Sequence, residues 1–316
     1  MTRTTQRHIW WDEVRAHMPA AATPSPVLTA GEQTRLSWAR RIETPEAAPS
    51  IYAGTLAAIT ARADCFPYCV LTPSYAGFLA RTTEKLVCAC ADEITVIERA
   101  SGDLRSTVYP LGSIDLMEVG CILLSSWFKI VGADDRARRT VTTIKFNTVT
   151  DYLLAPLLEH WRGAQGSRGT ASLASEQAKF DHLCREHYKF MNMARRVILP
   201  GDCVLASLMQ PELRTPVAKL FGRVYSRSRV PAHIVVLTDR ELIVAAEEKQ
   251  SLGRDTSRYG SVTTYIPRRK IAGADVRETA HGCVMLAVHL PEGEPVQIEF
   301  AAAHRDDVQR LAALLA

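Results

Sequence analysis

The 316 residues carry none of the compact signatures that announce a reaction. There is no Gly-x-x-x-x-Gly-Lys-Ser/Thr phosphate loop, no Gly-x-Gly-x-x-Gly opening a helix after a strand, no His-Glu-x-x-His and no Gly-x-Ser-x-Gly elbow. The glycine-rich stretch near residue 163 has no strand feeding into it and reads as a linker. A long apolar run is also missing. The longest, around residues 119–133, is interrupted by Ser125, Ser126 and Lys129 and falls short of the roughly 20 residues that span a bilayer. The first residues, through Trp10, Trp11 and Asp12, lack the continuous apolar stretch of a secretory signal. The excess of one charge over the other is small: the formal net charge of +4 is too mild to call for nucleic acid. The expected location is cytoplasmic, with peripheral contact at the inner membrane face as the alternative. In that setting the eight cysteines read as reduced, small core residues rather than a disulfide framework.

What is present is an ordinary globular composition, 47% hydrophobic and 23% charged, in a chain long enough for about two domains. The most legible stretch is 233–316. Alternating strands at 233–238 and 241–245 flank the polar corner Asp239-Arg240, and a segment 264–271 contains Pro267. Strands at 284–290 and 296–300 precede a closing helix. There Asp306 and Asp307 favour the dipole of the first turn, and Val308, Leu311, Ala312 and Leu315 form one apolar stripe.

A worn copy of this pattern lies upstream. Residues 86–91, the corner Asp92-Glu93 and residues 94–98 match the first hairpin, and Pro110 stands four positions before Ile114 as Pro267 does before Ile271. Residues 141–146 match 296–300, and both lead into a helical stripe, the first of Leu153, Leu154, Leu157, Leu158 and Trp161. Pro156 predicts a kink or a late start in that helix. Four matches in one order argue for an internal duplication.

The run Leu237-Thr238-Asp239-Arg240-Glu241-Leu242-Ile243-Val244, then Ile266-Pro267 with Ile271 following, then two strands and a helix, resembles the bacterial pleckstrin-homology-like domains, which include the YokE-like group. The resemblance covers residues 200–316, and residues 52–162 through the repeat, where Cys88-Ala89-Cys90-Ala91 replaces a bulkier first strand. It implies a mainly β chain with helices, of α+β class: two bent seven-stranded barrels, each closed by a C-terminal helix. It implies no activity, since such folds host unrelated functions. The chain then divides into an irregular lead-in (1–50), a diverged first domain (51–162), a linker and connecting helix (163–197) and a second domain (198–316). Short helices are expected near residues 10–14 and over 32–42, with Trp10, Trp11 and Trp38 as structural cover. The helix 176–196 carries Phe180, Leu183, Cys184, His187, Tyr188, Met191 and Ala194 on one face. Burial between the domains is the expected use of that stripe, and a homodimer contact the alternative.

Three clusters contain metal-ligand residue types: Cys88 with Cys90, Cys65 with Cys69, and the segment from Asp181 through His182 and Cys184 to His187. Each reads better as structure, so no metal and no cofactor are expected. The functional lead is basic. Arg254, Arg258, Arg268 and Lys270, the last two expected on one strand face, would form an anionic-ligand surface for phosphate groups, with Arg223, Arg227 and Arg229 close in sequence. The interleaved Glu247, Glu248, Asp255, Asp275 and Glu278 favour a solvated face instead. The expected function is a non-enzymatic scaffold that binds an unidentified protein partner, through a sheet edge or a groove beside the terminal helix. The alternatives are anionic headgroups bound by the second domain, and an enzyme with a dispersed site drawing on His233, His281 or His289.

Overall fold

Prolines and polar corners cut the chain into short strands, and the pairing of those strands is the fold. The computed structural model describes residues 38–62, 66–76, 81–100, 103–166, 169–220, 223–250, 257–279 and 282–316. Trp10, Trp11, Cys65, Arg254 and His281 lie outside the described residues, as does the helix expected at 10–14. Of the helix expected over 32–42, the final residues form a strand instead.

The first half runs β1 (Arg40–Ile42), α1 (Ala53–Thr60), β2 (Tyr68–Thr72), β3 (Tyr75–Ala76), β4 (Arg81–Thr82), β5 (Lys85–Ala89), β6 (Glu93–Ala100) and β7 (Asp103–Pro110). A single 3-10 turn, Leu111–Ser113, leads to β8 (Ile114–Ile122), β9 (Ser125–Ala133), β10 (Arg139–Asn147) and helix α2 (Ala155–Gly163). Helices α3 (Leu173–Ala178) and α4 (Tyr188–Val197) connect to the second half. That half runs β11 (Val204–Gln210), β12 (Leu213–Leu220), β13 (Arg223–Val230), β14 (His233–Thr238), β15 (Glu241–Gln250) and β16 (Ser257–Pro267). A 3-10 turn, Arg268–Lys270, leads to β17 (Gly273–Glu278), β18 (Val284–His289), β19 (Val296–Phe300) and helix α5 (Arg305–Leu315).

The two halves repeat one another strand for strand. β2-β5-β6-β7 and β11-β14-β15-β16 are the same four-stranded order, each with a hairpin inserted after its first strand, and β8-β9-β10 and β17-β18-β19 are the same meander. The register repeats as well. Glu93 stands opposite Pro110, and Glu241 opposite Pro267. A strand-end proline offers no donor, so each ladder stops there and the next residue turns back. Leu111 N–H donates to Asp92 O at 2.8 Å, and Arg268 N–H to Arg240 O at 2.7 Å. The late start at Pro156 is also present. A 3-10 segment, Thr148–Leu153, with Thr150 outside helical geometry, precedes α2, whose first turn holds the proline where a donor is not needed.

The halves do not close into the expected barrels; their sheets are open. β8 does not return to its own β7. It pairs antiparallel with β16 from residue pair Met117↔Tyr265 to Ile122↔Gly260, giving one seven-stranded sheet ordered β10-β9-β8-β16-β15-β14-β11. In the second half the meander β17-β18-β19 stays a separate sheet. Close to the seam, Gly120 lies across the ladder from Trp127, and a Cβ there would stand 2.0 Å from the indole, so only glycine lets that ring lie flat on the strand.

The connecting helix is interrupted. α3 gives way to a 3-10 turn and to His187 at φ −134° and ψ 42°, before α4 restarts. Residues 184–186 are exposed, so no burial rewards helical continuity across them. The buried face of α4 is Phe190, Met191, Ala194 and Val197, while Tyr188 and Cys184 are exposed. That face joins Phe180 and Leu183 in a core shared with Val87 and Ile94 of the first half and Ile234 and Val236 of the second. Two further cores lie under α5 and under α1.

A buried ion pair fastens the end of α2 to the corner of the second half. Arg162 donates from Nε and Nη2 to the Glu241 carboxylate at 2.9 and 2.7 Å, and from Nη2 to Val197 O at 2.7 Å, with its guanidinium over the Tyr265 ring. Arg162 is 3% and Glu241 1% exposed. Burial opposes the charge of Arg162, but Glu241, with Tyr265 and Asp202 around it, holds the guanidinium pKa above its ordinary value. Breaking such a pair leaves an uncompensated charge in the core, so Glu241→Gln is expected to cost roughly 3–5 kcal/mol. Lys189→Ala, which removes the partly exposed ion pair to Glu247, should cost under about 1 kcal/mol. Urea unfolding of the two variants beside the parent measures both.

Candidate functional site

Arg268 and Lys270, expected on one strand face, do not lie on a strand. Arg258 is the second residue of β16, and Arg268 and Lys270 bound the 3-10 turn that replaces the expected strand, because the chain turns immediately after Pro267. Both described side chains have partners. Arg268 donates to Leu314 O at 2.8 Å, at the end of α5. Lys270 Nζ lies 3.1 Å from Oδ1 of Asp115, whose Oδ2 takes Arg139 at 2.9 Å. Arg269 donates to Gln165 Oε1, and Arg229 to Glu299 at 3.0 Å. Of the cations of this turn, Lys270 thus reaches the first half, Arg269 the segment after α2, and Arg268 the end of α5 in its own half.

The cysteine and histidine clusters are rearranged. Cys69 and Cys88, from two separate clusters of the sequence, meet across the β2-β5 ladder. In the segment 181–187, Asp181 pairs with Arg195, His182 Nδ1 meets Lys179 O at 2.9 Å, and Cys184 is exposed. Among the described residues no group of three or more His, Cys, Asp or Glu side chains converges as for a metal. His289 pairs with Asp275 on the β17-β18 hairpin, and neither lines a described cavity. His233 is buried against Phe300, ring centroids 4.9 Å apart, and its Nδ1 meets Pro231 O at 3.0 Å.

One feature that could receive a ligand is an edge. Among the described residues β11 ends the seven-stranded sheet with only β14 beside it, and a cavity of about 250 Å³ is lined by its residues Ala206, Ser207 and Leu208 and by Asp307, Arg310, Leu311 and Leu314 of α5. Alternation places Ala206 and Leu208 on the α5 side of the strand, where both pack against the core under that helix. The wall is charge-balanced: Arg310 is hydrogen-bonded to Asp307 and holds that carboxyl below its usual range. Leu314, which lines the groove, stands 42% exposed. At the start of the edge, Glu176 accepts from Val204 N–H at 2.6 Å and Lys179 donates to Val204 O at 2.9 Å, so side chains of α3 cover the first main-chain groups.

The first half shows what such an edge accepts. β2, the counterpart of β11, carries an added strand: β1 pairs with it antiparallel, Arg40↔Leu71, Arg41↔Val70 and Ile42↔Cys69. β8, the counterpart of β17, is likewise taken by β16. Among the described residues both equivalent edges of the second half end their sheets. Sequence reasoning reads residues 204–206 as opening the second sheet and gives Ala206, Ser207 and Leu208 no ligand role. The available signal was Leu314, an apolar residue beside the buried stripe of α5 and outside it.

The sequence matches no protein-family model and no curated protein. Among the described residues no helix is long and apolar enough to cross a membrane.

His233 yields a pH test. Burial, the largest influence, depresses its pKa below the ordinary 6.5. The unfolded chain therefore takes up a proton before the folded one does, and the His233 contribution is complete above about pH 6.5 and is lost as pH falls from there towards the folded pKa. Unfolding free energy measured from pH 7.5 to 5 should decline on the acid side, and His233→Gln should flatten that slope.

Proposed function

We propose that the protein is a non-enzymatic scaffold of two pleckstrin-homology-like copies, and that its second copy binds an extended segment of a protein partner by strand addition at β11. The observation that carries this reading is the open edge of β11 beside the α5 groove, set against the filled edge of β2. An edge strand offers a row of main-chain donors and acceptors, which give affinity to any extended chain, while the pocket beside it selects side chains. On this reading the partner residue opposite Leu208 faces Leu311 and Leu314 and is aliphatic, as is its neighbour two positions away. The added strand runs antiparallel to β11, as β1 does to β2. The reading adopts the fold implied by the sequence resemblance, and the repeated strand order of the two halves is its main structural support.

The probe is a labelled peptide alternating Val and Thr, titrated against the full chain and followed by fluorescence polarisation. Saturable binding is expected, weakened about tenfold by Leu314→Asp, equivalent to about 1.4 kcal/mol. Leu314 is a surface residue, so the variant keeps the fold. No binding at millimolar peptide, or equal binding by the variant, would remove the groove from consideration.

A further inference from the structure

Cys69 and Cys88 are direct partners across the β2-β5 ladder, and both are fully buried. Their sulfurs lie 3.0 Å apart. Cys90 follows two residues after Cys88, so it projects to the same face, where it packs at the margin of the core that contains the pair. It is half-buried and lines a cavity of about 690 Å³, walled also by Phe66, Tyr68, Arg62 and His160. Neither member of the pair lines that cavity. All seven described cysteines are free. The result is a row of three thiols in which one end meets an open cavity and the other end is a matched buried pair.

We propose that Cys69 and Cys88 form a reversible cross-strand disulfide, loaded from a small-molecule disulfide through Cys90. Three exchanges accomplish it. The Cys90 sulfur attacks the reagent disulfide, forming a mixed disulfide and releasing one reagent thiol. The Cys88 sulfur attacks Cys90, releasing the second reagent thiol. The Cys69 sulfur then attacks Cys88 and returns Cys90 to its thiol. Each attacking thiol gives up its proton and each leaving thiolate takes one. In sum the pair is oxidised by two electrons and the reagent disulfide is reduced to two thiols. The Cys69 contact and burial raise the pKa of Cys88, and burial with the Glu93 charge pushes Cys90 up to about 11. Exchange is therefore slow, since the thiolate is the attacking form. The linkage ties β2, which carries β1 on its other edge, to the strand behind it.

The full chain is equilibrated in oxidised and reduced glutathione at several ratios, acid-quenched, alkylated, digested and mapped by mass spectrometry. A Cys69–Cys88 linked peptide is expected as the mixture becomes oxidising, with exposed Cys184 reporting general reactivity. Cys90→Ser should slow its appearance at least tenfold and leave its final extent unchanged. Cys69→Ser buries a hydroxyl and risks the sheet itself, so stability is compared within the parent chain. The oxidised form should melt about 5 °C or more above the reduced form. Alkylation of both residues in the most oxidising mixture, or linkage of either to another cysteine, would overturn the proposal. Equal rates with Cys90→Ser would overturn the loading route.

Discussion

The β8–β16 ladder is the constraint on which the rest depends. By taking the first strand of one meander into the four-stranded sheet of the other half, it makes a single sheet out of two repeats and fixes their orientation through main-chain hydrogen bonds. The buried ion pair between Arg162 and Glu241 acts on the same junction from the helix side, and Lys270, bonded to Asp115, acts from the turn. Strand pairing alone leaves a sheet free to twist. A closing helix bonded at its last turn to the corner of the neighbouring copy removes that freedom.

The same pairing explains why the two copies differ in what they offer. In copy one β2 is paired with β1 and β8 with β16. Copy two has the equivalent strands β11 and β17 at the ends of their sheets among the described residues, and α5 lines a groove beside β11. On the proposed reading, one copy serves as the mount and the other as the receptor of the partner.

Much of this was legible in the sequence, and what was not has physical reasons. The corner Asp92-Glu93, the corner Asp239-Arg240 and the two prolines announced the repeat, because turns and strand ends depend on local chemistry that the chain states directly. The late start of α2 followed from Pro156 alone. The barrels did not form because closure depends on which strand pairs with β8, a long-range choice that alternation does not encode. The helix over 176–196 broke because an apolar stripe records which residues seek burial and not whether the backbone between them stays helical. Lys270 looked like part of a ligand surface since its partner, Asp115, lies far away in sequence. The β11 groove was legible only as a class of feature, an edge or a groove beside the last helix, because edge status belongs to the assembled sheet.

Glu93 and Glu241 occupy one position of the repeat. The first is partly exposed beside Arg62 at the surface, the second sealed against Arg162. The two copies are consequently no longer interchangeable parts. A graft of the first corner into the second position preserves the strand register, yet it surrounds a buried guanidinium with whatever neighbours a solvated corner happens to carry. One residue type at one register position thus has two settings: in the first half its carboxylate meets a surface arginine, and in the second it neutralises a buried charge that arrives from the other half.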